Sequence, residues 1–280
     1  MQRAVSFGLA VLTAVLLGAN SLSAQSATSP PAVLPLFDGH IHYSRPDWSV
    51  YAPDRILGIL EQAGIRRALV SSTPDDGTLA LYAKDPKRII PILRPYRTRD
   101  DMGTWWRDPS IVPYLEERLK RGVHRGIGEF HVSGRDIKTP VLKRIAGLAV
   151  ERNIYLHAHS DDAAVEALFE MEPRARIIWA HAGMSSGPAV VGAMMDRHAS
   201  LWADLSYRYG DLAPGGTLDP EWKALLLRHS DRFMLGSDTW TTSRWEAVVS
   251  MADEARRFLG QLPRDVAEKI AYRNIERLFP

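Results

Sequence analysis

The chain has 280 residues, of which 45% are hydrophobic and 24% charged, as in an ordinary globular protein. Its 35 basic and 33 acidic residues leave a net charge of +2 and form no basic block, which argues against a nucleic-acid-binding protein. The chain contains no cysteine, which excludes disulfides, thiolate metal ligands, cysteine nucleophiles and lipid attachment at a lipoprotein cysteine.

The first residues have the pattern of a secretory signal peptide. Arg3 precedes an uncharged apolar run over 4–17, and small and polar residues follow it. This run is shorter than the roughly 20 residues that a transmembrane helix needs. We therefore predict a signal peptide over 1–24, cleaved after Ala24, and a protein exported to the periplasm or secreted; an uncleaved anchor is the alternative. Residues 25–35, rich in Ser, Ala and Pro, predict a flexible lead-in.

Strand and helix patterns alternate through the rest of the chain. Apolar runs of strand length predict an opening strand that leads into 38–42, then strands over 67–71, 88–93, 126–130, 154–158, 176–180, 201–205 and 232–235. Apolar residues at helical spacing predict helices over 54–63, 76–83, 112–120, 141–152, 162–171, 189–198, 221–228, 245–259 and 265–278. Residues 101–106 are predicted to form a loop.

Eight strands followed by helices, over roughly 240 residues, are typical of a (β/α)8 barrel. No Pro, Gly or Ser-rich linker divides the alternation, so we predict a single barrel domain over 36–280. The alternative is an open doubly wound sheet, which would need a glycine-rich turn after its first strand. This chain has histidines there.

Histidines and carboxylates stand where the predicted strands end. Alternate side chains of a strand share a face, so His40 and His42 can grip one metal ion. The carboxyl ends of barrel strands form one face, where further candidates are expected to join them: Glu129 after the fourth strand, His159 after the fifth, His181 after the sixth and Asp238 after the eighth. This set suits one or two divalent ions, zinc first, with Mn, Fe or Co as alternatives.

Two of these residues have candidate catalytic roles. Asp238 could take a proton from the attacking water and pass it to the leaving group, although it could also cap the helix that follows. Glu129 is either a ligand of a second metal ion or an acid/base group. His157 shares a strand face with His159 and is the alternative ligand at that strand.

These motifs resemble those of the amidohydrolase superfamily, in particular amidohydrolase family 2. The matching segments are Asp38-Gly-His-Ile-His42, Gly-Ile-Gly-Glu129, His159, Ala180-His-Ala-Gly183, Gly236-Ser-Asp238 and the C-terminal Lys269–Phe279. The resemblance covers nearly all of the chain after residue 35. It implies a distorted barrel with a mono- or dinuclear metal site that His40, His42 and Asp238 ligate directly. Many members bridge two metals with a carboxylated lysine, whereas TatD-type members have a glutamate in a context similar to that of Glu129.

Other residues on segments that face the predicted mouth could bind substrate. An arginine fork binds carboxylate or phosphate, and aromatic rings wall apolar pockets. The candidates are Arg94, Arg208, Tyr43 and Trp240, for which loop packing or surface ion pairs are the alternative.

The sequence as a whole predicts an exported, metal-dependent hydrolase that acts on an ester, lactone or amide of a small molecule. A metal-dependent decarboxylase is the first alternative, and a non-catalytic metal- or ligand-binding barrel is the second. We expect no nucleic-acid partner and no membrane association after signal cleavage. A homo-oligomer is compatible with this fold, but the sequence identifies no subunit interface.

Overall fold

The computed structural model describes residues 1–2 and 33–280. The predicted signal peptide and most of the predicted lead-in therefore lie outside the described residues. Residues 33–280 form one compact unit. Within the described part of the chain, no helix combines the length and apolarity needed to cross a bilayer.

Eight parallel strands form one sheet in which each strand pairs with the next along the chain. They are β1 (Leu36–Ile41), β2 (Ile65–Val70), β3 (Ile89–Leu93), β4 (Gly126–His131), β5 (Tyr155–His159), β6 (Ile177–Trp179), β7 (Leu201–Asp204) and β8 (Phe233–Met234). A parallel bridge between Asp38 and Leu235 joins the last strand to the first. The predicted (β/α)8 barrel is confirmed.

Helices follow the strands and cover the outside of the barrel. They are α1 (Pro53–Gln62), α2 (Asp76–Lys84), α3 (Ile111–Leu119), α4 (Pro140–Glu151), α5 (Asp162–Met171), α6 (Pro188–Arg197), α7 (Tyr209–Leu212), α8 (Pro220–Arg228), α9 (Val248–Leu259), α10 (Arg264–Glu268) and α11 (Asn274–Leu278). Four of them begin with proline, whose fixed φ and missing N–H suit the first helical position.

Several helical segments differ from the sequence prediction. The predicted loop over 101–106 lies in two 3₁₀ helices, Arg99–Gly103 and Trp105–Arg107, because the Asp101 carboxylate accepts backbone N–H groups at the start of the first. The predicted C-terminal helix is interrupted by a π-helical turn, Lys269–Arg273, between α10 and α11. The sequence did not predict α7, because a helix of four residues is too short to show a periodic apolar pattern.

The character of the side chains changes along the barrel strands. Along β5, alternation places Tyr155, His157 and His159 on the same face. Tyr155 belongs to a buried apolar cluster that includes Phe37 of β1 and Phe279 at the C-terminus. This cluster fills one end of the barrel, and the histidines occupy the other.

Candidate functional site

The structure brings the six predicted metal ligands together at the carboxyl ends of the strands. Around β1, His42 Nε2 lies 3.2 Å from His40 Nε2 and 3.2 Å from Asp238 Oδ1. Glu129 Oε2 lies 3.2 Å from His42 Nε2 on the other side. Two imidazole nitrogens and two carboxylates thus face one another, and all four residues are buried.

The second carboxylate oxygen of Glu129 lies 3.5 Å from His40 Nε2 and also faces a second pair of histidines. Glu129 Oε1 lies 2.8 Å from His159 Nδ1 and 3.5 Å from His181 Nε2. His181 Nε2 also lies 3.9 Å from Asp238 Oδ2. Glu129 therefore stands between two groups of ligand atoms, one around His40 and His42 and the other around His159 and His181.

Three of these imidazoles are oriented by hydrogen bonds at their other ring nitrogen. The partners of Nδ1 are the Asp204 carboxylate for His40 (3.2 Å), the Ser71 carbonyl oxygen for His42 (2.5 Å) and the Ser206 carbonyl oxygen for His181 (3.1 Å). An oxygen that accepts at Nδ1 fixes the proton on that nitrogen. The lone pair of Nε2 is then left to point toward the carboxylates of Glu129 and Asp238.

Facing lone pairs at these distances repel one another unless a cation lies among them. The charges around His40 show the same preference. Burial lowers the pKa of the His40 imidazole, but the carboxylates of Asp204, Glu129 and Asp238 outweigh burial and raise that pKa well above its ordinary value. The site favours positive charge, and its nitrogen and oxygen donors fit a divalent metal ion.

Two of the predicted ligands stand on backbone in the left-handed region, where non-glycine residues are strained: His181 at φ 56° and Asp238 at φ 48°. Two arginines hold these turns. Arg208 Nη1 donates to the carbonyl oxygen of His181 (3.2 Å), and Arg244 Nε donates to that of Asp238 (2.6 Å).

A cavity of about 950 Å³ opens at the site and is lined by Glu129, His159 and Asp238. Four arginines line it as well: Arg45, Arg94, Arg97 and Arg99. A smaller depression of about 340 Å³ adjoins it, and the two share the side chains of Met102, His131, His159 and Met184.

Of the four predicted substrate-binding residues, Arg94 and Trp240 line the cavity. Tyr43 and Arg208 do not. The Tyr43 hydroxyl donates to the carbonyl oxygen of Tyr51 (2.6 Å), and Arg208 is committed to backbone carbonyls and to Asp211. Their polar atoms are satisfied within the protein, so neither belongs to the substrate cavity.

Arg94 is also committed in part. Its Nε donates to the Glu129 carbonyl oxygen and its Nη2 to Glu129 Oε2, both at 3.0 Å. Both side chains are at most 5% exposed. Arg94 therefore positions Glu129, and its Nη1 has no partner among the described residues.

The sequence interpretation gave His157 as the alternative to His159 and did not single out Asp204 or Ser206. His157 donates to Asp204 instead of joining the ligand atoms around Glu129, and burial lowers the pKa of His157 to about 4. Asp204 is the last residue of β7, and Ser206 comes directly after the predicted seventh strand over 201–205. The rule that found the other strand-end residues would have found this pair. His131, beside Glu129 in the cavity wall, has its pKa lowered to about 3 by burial.

Similarity to known proteins identifies the family of this chain. The family model described as amidohydrolase matches residues 100–280, a range that includes Glu129, His159, His181 and Asp238. The chain is a member of the amidohydrolase family. The two remaining histidines of this amidohydrolase site, His40 and His42, precede the matched range. No curated protein sequence matches the chain.

Solved structures similar to this amidohydrolase share its fold. A TatD homologue from Escherichia coli K12 is 17% identical with a TM-score of 0.63, and the match covers 87% of this chain and 97% of that one. An apo structure from Agrobacterium tumefaciens is 16% identical with a TM-score of 0.60, covering 90% and 98%. A probable 2-pyrone-4,6-dicarboxylic acid hydrolase from Acinetobacter baumannii is 14% identical with a TM-score of 0.56, covering 87% and 98%.

The buried pair of Arg94 and Glu129 gives a stability prediction. Arg94→Ala removes one partner and leaves the other charge buried, so the free energy of unfolding is expected to fall by about 3–5 kcal/mol. Urea unfolding of the metal-free protein measures it. Arg107→Ala is the control, because Arg107 is 69% exposed and pairs with Asp136 at the surface, where an ion pair contributes at most about 1 kcal/mol. Equal losses in the two variants would contradict the buried pair.

Proposed function

We propose that this amidohydrolase is a metal-dependent hydrolase that cleaves an ester, lactone or amide of a small, carboxylate-bearing molecule. The observation that carries the proposal is the convergence of imidazole Nε2 atoms and two carboxylates at 3.2–3.9 Å. Among the described residues, these nitrogen and oxygen atoms face one another, and hydrogen bonds hold the imidazole rings in place. The group opens into a cavity whose size suits a small molecule.

The residues that would hold the metal are His40, His42, Glu129, His159, His181 and Asp238. A divalent ion bound by them, zinc first and Mn, Fe or Co as alternatives, supplies a Lewis acid and lowers the pKa of the attacking water. The Glu129 carboxylate contacts both histidine groups, with Oε2 3.2 Å from His42 Nε2 and Oε1 2.8 Å from His159 Nδ1, which supports two ions and a ligand role for this carboxylate over an acid/base role.

Asp238 is the proposed proton carrier. Its carboxylate lines the cavity and lies 3.2 Å from His42 Nε2, in a position to take a proton from the attacking water. In hydrolysis the water oxygen bonds to the carbonyl carbon, and the bond from that carbon to the leaving oxygen or nitrogen breaks. Asp238 then returns the proton to the leaving atom, and the products are a carboxylic acid and an alcohol or amine.

The arginines of the cavity support a substrate that carries a carboxylate. Arg97 is paired with Asp101 and Asp108, and Arg94 with Glu129. Arg45 and Arg99 line the same cavity and have no carboxylate partner among the described residues. Guanidinium groups bind carboxylates in forked geometry. A structural neighbour is named as a probable hydrolase of a dicarboxylic acid and was crystallised with citric acid, which agrees with this substrate class.

Metal content tests the site. We expect two metal ions per chain after reconstitution with Zn²⁺ and at most one in Glu129→Ala, because this carboxylate faces both histidine groups. Elemental analysis of the purified chains gives the number. Glu117→Ala, which removes a carboxylate that is 71% exposed on α3, should keep the wild-type content.

Two results would change the conclusion. A wild-type chain that binds no metal would refute the proposed function. One ion that persists in Glu129→Ala but disappears in His159→Ala would make Glu129 an acid/base group and favour metal-dependent decarboxylation.

Substrate preference tests the arginine cavity. Lactones and esters with a free carboxylate should turn over with a higher kcat/KM than the same compounds with that carboxylate methylated. Arg45→Ala or Arg99→Ala should raise KM about tenfold with little change in kcat, since a hydrogen bond to a charged group contributes about 1.5–3 kcal/mol. Arg107→Ala is again the control. A preference for the methylated compounds would argue against a carboxylate-bearing substrate.

We further propose that the protein is exported, on the basis of the basic start, apolar run and small-residue end of residues 1–24. The mature chain is then expected to begin at Gln25. Intact mass of the protein recovered from the periplasmic fraction or the medium measures the start. A recovered chain that retains residues 1–24 would show that the leader is not cleaved.

A further inference from the structure

A single buried carboxylate lies behind the candidate metal site. Asp204 is fully buried at the carboxyl end of β7. Its Oδ2 lies 3.2 Å from His40 Nδ1 and 3.0 Å from His157 Nε2. Since the same oxygen accepts from two imidazoles, it fixes the proton of His40 on Nδ1 and the orientation of that ring.

The other oxygen of Asp204 reaches the second histidine group. Oδ1 accepts the backbone N–H of His181 (3.3 Å) and of Ser206 (3.1 Å), and it also accepts the Ser206 hydroxyl. Ser206 Oγ lies 2.9 Å from His181 Nδ1 and 3.2 Å from His40 Nδ1. One carboxylate therefore contacts His40 directly and His181 through both backbone and Ser206.

Gly236 packs closely against the residues around Asp204. A Cβ built on Gly236 would lie 2.8 Å from His40 Cβ, 3.0 Å from Ser206 Cβ and 3.4 Å from Asp204 Oδ1. A side chain at this position would displace His40 and Ser206, the two residues whose Cβ atoms lie closest. The absence of a side chain at Gly236, just after β8, thus lets the residues around Asp204 pack together.

Hydrogen bonding explains this cluster better than a third metal position. His40, His157 and Asp204 could in composition hold an ion. However, their separations of 3.0 and 3.2 Å are those of N–H···O hydrogen bonds, and the side chains are at most 2% exposed. His40 also has only one further ring nitrogen, Nε2, and this atom faces Glu129 and Asp238.

We propose that Asp204 is a positioning residue that holds His40 and His181 together in the orientation that binds metal, so that both histidine groups depend on one carboxylate. Asp204 touches neither the cavity nor the substrate. The inference rests on the proposed function, because it requires that His40 and His181 bind metal. Hydrogen-bond partners of metal-binding histidines typically change metal affinity 10–100-fold when they are lost.

The test is Co²⁺ binding by Asp204→Asn, measured by chelator competition and by the visible absorption of the bound ion. The amide replaces one acceptor oxygen of the carboxylate with an NH2 group, which would face N–H donors. We therefore expect affinity to fall about 10–100-fold and the absorption spectrum to change. Asp231→Asn is the matched control, since Asp231 is 56% exposed and pairs with Lys269 at the surface. Circular dichroism and thermal unfolding establish that each variant is folded.

Ser206→Ala provides a second, milder change. It leaves the direct contact of Asp204 with His40 and removes the hydroxyl, which lies 2.9 Å from His181 Nδ1 and 3.2 Å from His40 Nδ1, so we expect a loss of affinity of about fivefold, as for one neutral hydrogen bond. If Asp204→Asn is not recovered folded, Ser206→Ala decides the inference.

The outcomes separate this inference from the proposed function. Absence of Co²⁺ binding in the wild-type chain would refute the proposed function and the inference with it. Wild-type binding with unchanged affinity and spectrum in folded Asp204→Asn, or in Ser206→Ala when the first variant does not fold, would overturn the inference alone. A lowered melting temperature with unchanged Co²⁺ affinity and spectrum would also overturn it, because Asp204 would then act only on stability.

Discussion

The repulsion among imidazole lone pairs and carboxylates at the carboxyl ends of the strands is the interaction on which this structure depends. It persists because three of the imidazoles are oriented by a hydrogen bond at Nδ1, such as those of His42 with the Ser71 carbonyl and of His181 with the Ser206 carbonyl. Without those bonds the rings could turn a protonated nitrogen toward Glu129 and relieve the repulsion. The fold of the barrel therefore holds these groups in an arrangement that a bound cation would stabilise.

The barrel itself separates two environments. Strand alternation puts Tyr155 in an apolar layer and His159, four residues on, in a polar one. The apolar layer is completed by α11 and the C-terminal Phe279, which contact strands from opposite parts of the sheet. Charged groups near the cavity therefore lie over a buried apolar layer. There, interactions between them are stronger than they would be at the surface.

The fold and the ligand cluster could be predicted because both follow from local pattern and from one geometric rule, the meeting of parallel strand ends. His40 and Asp238 are almost 200 residues apart, yet that rule brings them together. Side-chain direction was harder to predict. Arg208 and Tyr43 were placed near the mouth by chain position alone, but tertiary hydrogen bonds turn them away. The rule also applies to Asp204, but this residue lies inside the predicted strand over 201–205 and so was not among the strand-end candidates.

The wall between the large cavity and the adjoining depression has consequences for how this protein could evolve. Two of its four side chains, Met102 and Met184, are methionines, which are flexible and tolerate replacement. Shortening them would join the two spaces into one elongated channel without altering His131 or His159. Substitutions at these two methionines could therefore change the length of the molecule that the protein accepts, while the residues at the strand ends stay the same. Such substitutions would give the protein a route to new substrates.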